Sequence, residues 1–172
     1  MPITAEQLTA LLNGLHTEAK RNFRREGRVT PALLLIPGDG APRLIDMPHG
    51  MIDVNRIAEH AHATRPSAIL LSAEVWIGSS TLPIEKAARL PLDDVPRPSE
   101  QHDRREAIVT RAIARAADGG LMRADRAHLI VRKDVGVQLK PLAALPDEGR
   151  TDGLSAFLAT LIPALPEDDS TR

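Results

Sequence analysis

The clearest pattern of apolar and polar positions lies between residues 68 and 78. Every odd-numbered position from 69 to 77 is apolar. The even-numbered positions are mixed and hold Leu70, Ser72, Glu74, Trp76 and Gly78. Because successive side chains of a strand point to opposite faces, this alternation predicts a strand over residues 68–78. We expect its odd-numbered side chains to enter the core and the side that carries Trp76 to face away from it.

Apolar residues at helical spacing predict three helices. Thr4 and Gln7 have the spacing of a capping box, and an apolar stripe follows them, which predicts a helix over about residues 5–25. Two further stripes predict helices over about residues 53–65 and 153–162, each followed by a proline.

Short apolar runs between turn sequences predict the remaining strands. Residues 104–117 fit either a helix or a strand, because their alanines favour a helix whereas residues 118–120 (Asp-Gly-Gly) are typical of a hairpin turn. We interpret them as a strand. The prediction is an α+β fold with a mainly antiparallel sheet of about five or six strands, covered on one face by helices. The strands are expected at about residues 32–36, 42–47, 68–78, 105–117, 121–132 and 135–139.

The length of 172 residues suits one domain and is short for two. We predict a single domain over residues 1–166, followed by a polar tail over residues 167–172. The N-terminal residues lack the basic and apolar regions of a signal peptide, and no stretch reaches the ~18 apolar residues of a membrane span. We therefore expect a cytoplasmic protein without membrane contact.

Composition excludes several kinds of site. The chain has no cysteine, which rules out thiolate metal sites, cysteine nucleophiles and redox pairs. It has 22 basic and 23 acidic residues, one tryptophan, two phenylalanines and no tyrosine. Balanced charge and few aromatic rings argue against a nucleic-acid partner. The abundance of arginine and alanine is typical of GC-rich bacterial or phage genomes.

Two local patterns are compatible with binding chemistry, and each has a simpler explanation. Glu59 and His62 are three residues apart, as ligands of helical di-metal sites are, but such sites need a second pair that the sequence lacks. Residues 20–28 are rich in cations, yet glutamates lie among them, so a solvated helix end accounts for them. We expect no metal and no cofactor.

The mixed side of the predicted strand 68–78 is the strongest candidate for a binding surface. Ser72, Glu74 and Trp76 project to that side, and a tryptophan beside a carboxylate can line a cleft or anchor a protein interface. The alternative is that Trp76 packs beneath a helix and leaves Glu74 at the rim. A cluster of charged residues further along the chain is compatible either with a general base or with a set of solvated ion pairs. Its members are His102, Asp103, Arg104 and Glu106.

These two segments resemble a pattern found in small uncharacterised bacterial and phage proteins. In those proteins a strand ends in serine, glutamate and tryptophan, and an aspartate-arginine-glutamate turn later opens another strand. Here residues 72–76 read Ser-Ala-Glu-Val-Trp and residues 103–106 read Asp-Arg-Arg-Glu, with Ala73 inserted between serine and glutamate. The resemblance covers about residues 69–131 and implies no activity. It does imply that residues 104–117 form a strand and that Glu74 and Trp76 lie close to Asp103, Arg104 and Glu106.

Three functional hypotheses follow. The leading one is a non-enzymatic protein-binding or assembly module that self-associates through the surface just described. The second is a small hydrolase that uses Glu74, His102 and Asp103 around a water molecule or a metal ion. The third is a nucleic-acid-associated accessory protein, which requires the cations of residues 20–28 to align with Arg123, Arg126 and Arg132.

Overall fold

A computed structural model of the protein describes residues 3–47, 52–77, 104–142 and 153–163. Within these ranges the chain forms one open antiparallel sheet of six strands and three helices, which confirms the predicted α+β fold. The strand order is β2-β1-β3-β4-β5-β6. In chain order the elements are α1 (Ala5–Glu26), β1 (Ala32–Pro37), β2 (Arg43–Asp46), α2 (Val54–Thr64), β3 (Pro66–Ile77), β4 (Arg105–Arg115), β5 (Leu121–Arg132), β6 (Val137–Leu142) and α3 (Gly153–Thr160).

Local sequence sets both ends of α1. The Thr4 hydroxyl accepts the Gln7 amide at 3.2 Å, and the Gln7 side chain accepts the Thr4 amide at 2.9 Å, which confirms the predicted capping box. Gly27 adopts a left-handed φ of 74°, and its amide donates to the Phe23 carbonyl at 2.7 Å. This ending turns the chain back towards the sheet, so that residues 28 and 29 reach the end of β3.

The last strand begins later than predicted. We expected β6 over about residues 135–139, but it spans Val137–Leu142. Residues 133–136 form a turn in which the Lys133 amide donates to the Gly136 carbonyl at 3.0 Å and Gly136 has a φ of 81°. A positive φ suits glycine and ends a strand, so the turn takes the residues that the apolar pattern had assigned to β6.

Helices cover both faces of the sheet, which corrects the expectation of one covered face. Odd-numbered core residues of β1 and β3, such as Leu33 and Ile69, pack with α2 and α3. Even-numbered residues of β3 and β4, such as Leu70 and Ala112, pack with α1. Residues 68–71 are all apolar, as is typical of a strand buried on both faces. The mixed side of β3 therefore lies under α1 along most of its length.

The register of the sheet brings polar residues together on the α1 face. Ser72 lies opposite Thr110, and Trp76 lies opposite Glu106. Ile108 of β4 lies opposite His128 of β5. Because these pairs share one face, the polar side chains of three central strands meet beneath the second half of α1 and just beyond its end. The candidate site lies there.

Candidate functional site

A small pocket opens where the end of β3 meets the segment that follows α1. It has a volume of about 210 Å³ and is lined by Arg28, Val29, Glu74, Val75, Trp76 and Glu106. The Glu74 carboxylate accepts the backbone amide of Val29 at 3.0 Å, which ties the strand to the chain that leaves the helix. We call this space the carboxyl pocket.

Glu106 is held in the carboxyl pocket by a guanidinium fork. Arg132 Nε donates to Glu106 Oε2 at 2.8 Å, and a terminal nitrogen of Arg132 donates to Glu106 Oε1 at 2.8 Å. This bidentate pairing fixes the orientation of the carboxylate. The hydrogen bond with Arg132 is the main reason that the pKa of Glu106 lies below its usual value.

The pKa of Glu74 is shifted in the opposite direction. Burial, followed by a hydrogen bond with Glu106, raises its pKa above the ordinary value. A hydrogen bond between two carboxyl groups requires one proton, and the arginine beside Glu106 favours placing that proton on Glu74. The carboxyl pocket thus holds two carboxyl groups whose pKa values are shifted in opposite directions, an arrangement suited either to proton transfer or to binding a polar group.

Trp76 forms the rim of the carboxyl pocket. Its side chain is 45% exposed, an unusual position for the single tryptophan of a chain with few aromatic residues. The guanidinium carbon of Arg104 lies 5.5 Å from the centroid of its ring, within the range of a cation–π contact. Trp76 is thus held against Arg104 while a large part of its apolar surface stays in water.

The structure places the predicted site residues in three different situations. Glu74, Trp76, Arg104 and Glu106 lie together around the carboxyl pocket. Ser72 was also expected on this surface, but its side chain is only 1% exposed because α1 packs over it. The two remaining predicted residues, His102 and Asp103, lie outside the described residues.

Sequence reasoning missed a buried hydrogen-bond network beneath α1. His16 is 3% exposed, and its Nδ1 lies 2.9 Å from the Thr110 hydroxyl, which is itself 2.9 Å from the Ser72 hydroxyl. On the other side of the ring, His16 Nε2 lies 2.8 Å from His128 Nδ1. Finally, Lys20 Nζ lies 3.5 Å from His128 Nε2. The network runs from the interior to the surface.

The lysine sets the direction of the hydrogen bonds from His128 to Thr110. An ammonium group can only donate, so Nε2 of a neutral His128 accepts and its Nδ1 carries the hydrogen. That hydrogen is donated to His16 Nε2, which places the hydrogen of His16 on Nδ1 and directs it to Thr110. The Thr110 and Ser72 hydroxyls share a hydrogen bond of 2.9 Å in which either oxygen can be the donor. This set of tautomers satisfies the contacts of both imidazole rings.

Both imidazoles are held in their neutral form. Burial is the largest effect on His16 and, with the charges of His128, Lys20 and Arg126, it lowers the pKa from 6.5 to about 4. Burial also lowers the pKa of His128, and the charges of Lys20 and Arg24 add to the effect. Neutral rings explain how two histidines sit in contact beside cations at neutral pH.

The sequence did contain one sign of this network, namely the position of His16 within the apolar stripe of the predicted first helix. His16 lies four residues after Leu12 and seven before Phe23, so it occupies the middle of the buried stripe of α1. A polar residue in an apolar stripe needs a hydrogen-bonding partner across the core. The identity of those partners, Thr110 and His128, depends on the register of β4 and β5, and the pattern of residues along α1 carries no information about that register.

The described residues contain no group of three or more potential metal-ligating side chains. Glu59 and His62, the pair that resembled metal ligands, are exposed on α2. No helix in the described ranges is both long enough and apolar enough to cross a bilayer.

Comparisons with known proteins add no family to this picture. No protein-family model, curated protein or solved structure matches the chain. Functional assignment therefore depends on the geometry of the polar groups beneath and beside α1.

Proposed function

We propose that the protein is a non-enzymatic protein-binding module that self-associates through the surface around the carboxyl pocket. This contact surface consists of Glu74, Trp76, Arg104 and Glu106. The observation that carries the proposal is the exposure of Trp76 at the rim of a pocket with a charged floor. The absence of cysteine from the chain supports a cytoplasmic location for the protein. The high content of arginine and alanine supports a bacterial or phage origin.

Covering the exposed ring of Trp76 with a partner contributes substantially to the free energy of binding. A tryptophan that is 45% exposed leaves about 100 Å² of side-chain area in water, and covering that area is worth about 2.5 kcal/mol. Tryptophan and arginine are also enriched among the residues that dominate binding energy at protein interfaces. The Arg132 fork holds Glu106 in place, so the polar part of the contact surface is ordered before a partner arrives.

Sedimentation equilibrium tests the proposal through the variant Trp76→Ala combined with Glu74→Gln. We expect the native protein to form dimers and the double variant to dissociate at least about tenfold more readily, because it loses the apolar rim and the carboxyl group of Glu74. Circular dichroism should show that the variant remains folded, since both side chains are partly or largely exposed.

Leu44→Ala is the matched control. Leu44 is a large apolar residue that is 60% exposed on β2, at the edge of the sheet away from the carboxyl pocket. It should not change the association constant. A native protein that stays monomeric at all accessible concentrations, or a control that dissociates as readily as the double variant, contradicts the proposal.

The carboxyl pair supports a hydrolase as the second candidate function. Glu74 holds a proton at neutral pH more readily than an ordinary glutamate, whereas Glu106 is ionised beside Arg132. In this reading Glu74 donates its proton to the leaving group of a small substrate bound in the carboxyl pocket. His102 and Asp103, the other predicted members of such a site, fall outside the described ranges.

A panel of chromogenic carboxyl esters, phosphate esters and glycosides tests this second candidate. If the protein is a hydrolase, one class should be turned over, and Glu74→Gln should lower kcat about 100-fold or more because a general acid is lost. The rate should also fall as pH rises through the raised pKa of Glu74. Absence of turnover for every class, or full activity in Glu74→Gln, excludes this role for the pair.

A further inference from the structure

Three cations surround His128 on the α1 face, away from the carboxyl pocket. Lys20 Nζ lies 3.5 Å from His128 Nε2. Arg24 is one helical turn beyond Lys20, and Arg126 is two residues before His128 on the same face of β5. The side chain of Arg126 is held against α1 by a hydrogen bond of 3.2 Å from its Nε to Asn13 Oδ1. Lys20, Arg24, Arg126 and His128 form what we call the cationic cluster.

No carboxylate of the described residues contacts the cationic cluster. The two glutamates in the second half of α1 are engaged elsewhere, Glu18 with Arg21 at 2.9 Å and Glu26 with Arg25 at 2.7 Å. Among the described residues, the Lys20 ammonium has one polar contact, the neutral Nε2 of His128. Like charges held close together without counter-charges repel each other, and this repulsion favours binding of an anion.

The charged groups facing His128 can be named for each element packed against it. From α1 they are Lys20 and Arg24, with the imidazole of His16. On β5 itself Arg126 lies on the same face. From β4 the residue opposite is Ile108, and Glu106, two residues before it, is paired with Arg132. From β6 the residue opposite is Pro141, which carries no charge. Cations therefore dominate the electrostatic field that the described residues produce at His128.

We propose that the cationic cluster binds a phosphate group and that binding is linked to proton uptake by the histidine pair. Two guanidinium groups and an ammonium group are the donors that proteins commonly use for phosphate oxygens. His128 is partly exposed and lies among these donors, so its Nε2 can become a fourth donor once the ring is protonated.

Proton uptake follows from the reversal of the local field. Without a ligand, burial and the neighbouring cations keep His16 and His128 neutral. A bound phosphate places negative charge beside His128 and favours its imidazolium form. The proton comes from solvent, attaches to Nε2, and displaces the hydrogen bond from Lys20. By linkage, phosphate binds more tightly as pH falls, and a bound phosphate raises the pKa of the histidine pair by the equivalent amount.

The phosphate group can belong to a small molecule or to a nucleic-acid backbone. Arg132 lies on the same face as the cationic cluster, as a nucleic-acid-binding surface would require, but it is paired with Glu106. Arg123 lies on the opposite face of β5, so it does not align with the cations of residues 20–28 as the nucleic-acid hypothesis requires. The two sources are separated by experiment.

Histidine NMR with inorganic phosphate tests the proposal on the full chain. Titrations with phosphate and with sodium chloride at equal ionic strength should differ, with only phosphate raising the pKa values of His16 and His128. Lys20→Gln and Arg126→Gln should each weaken phosphate binding by about tenfold, the usual effect of losing one charged hydrogen bond. Sulfate keeps its charge between about pH 8 and about pH 5, so as a phosphate analogue it should bind more tightly as pH is lowered across that range.

Arg123→Gln is the control, because it removes an exposed arginine from the other face of the same strand. It should bind phosphate as the native protein does. The proposal is wrong if phosphate shifts neither histidine beyond the chloride control, or if Arg123→Gln weakens binding as much as Arg126→Gln. These readouts do not involve Trp76, so they are independent of the self-association test.

Fluorescence anisotropy with labelled oligonucleotides distinguishes the two phosphate sources. Binding that depends on salt and is weakened by Arg126→Gln but not by Arg123→Gln identifies the nucleic-acid backbone as the source. Binding of inorganic phosphate without binding of single-stranded or double-stranded oligonucleotides identifies a small phosphorylated molecule. Both results support the phosphate site, whereas the absence of both overturns it.

Discussion

The free energy of unfolding is expected to fall by up to about 3 kcal/mol as pH is lowered from 6.5 to about 4, through the titration of His16 alone. In the unfolded chain His16 gains a proton below its ordinary pKa of 6.5, whereas in the folded protein it does so only near pH 4. Between these values the unfolded state binds more protons, so acid favours unfolding. The stability that the neutral ring provides is complete above pH 6.5 and is lost across this window.

Urea denaturation at a series of pH values measures this loss, and His16→Leu isolates it. The variant is expected to be less stable at neutral pH, because Thr110 and His128 each lose a partner. Its stability should nevertheless vary less with pH than that of the native protein. His62→Leu is the control, since His62 is exposed on α2 and its removal should leave the pH dependence intact. Identical pH profiles for the native protein and His16→Leu would show that His16 does not govern the acid response.

Replacing Arg115 with methionine is expected to lower the free energy of unfolding by about 3 kcal/mol and to release α3 from the sheet. Arg115 is the last residue of β4, and its guanidinium group donates to three carbonyl oxygens. They belong to Gly119 at 2.8 Å, Ile162 at 2.9 Å and Pro163 at 3.2 Å. One side chain thus holds the β4–β5 turn and the end of the segment that contains α3. Methionine keeps much of the apolar length but none of the donors.

Hydrogen exchange followed by mass spectrometry checks where the loss occurs. Peptides that contain Leu158, Leu161 and Ile162, which belong to the α3 side of the core, should exchange much faster in Arg115→Met. Peptides from α1 should change little, because α1 packs on the other face. Arg123→Met serves as the control for loss of an exposed arginine from a neighbouring strand. Equal protection of the α3 peptides in Arg115→Met and the native protein contradicts this function of Arg115.

The elements that sequence patterns predicted well are those with strong local signals. Period-two alternation located β3, and the Asp-Gly-Gly turn at residues 118–120 decided correctly that residues 105–115 are a strand. The covering of both sheet faces was not predicted, because the alternation after Leu71 is typical of a strand that is buried on one face, and only the four residues 68–71 are uniformly apolar. Whether one or both faces of a strand are buried depends on which helices pack there, and that is a tertiary property.

The candidate site was predictable only in part, for a similar reason. The side of β3 with Glu74 and Trp76 followed from local alternation, and the residues that join it from β4 followed from the expected hairpin and the resemblance. Arg132 and Val29 complete the carboxyl pocket from distant parts of the chain. His16 and His128 are 112 residues apart in sequence, so only the register of the sheet and the placement of α1 bring them together.

Among the strands that the structure describes, the two outermost restrict how copies of the protein can meet. A sheet often grows by adding a strand from another molecule along a bare edge. At β6 such growth is opposed, because Pro141 has no amide hydrogen and proline in an outer strand places its nitrogen away from the neighbour. At β2 only four residues are available, from Arg43 to Asp46. Fibril-like stacking is therefore disfavoured, and any assembly between these molecules is expected to form through side chains and to stop at a closed complex.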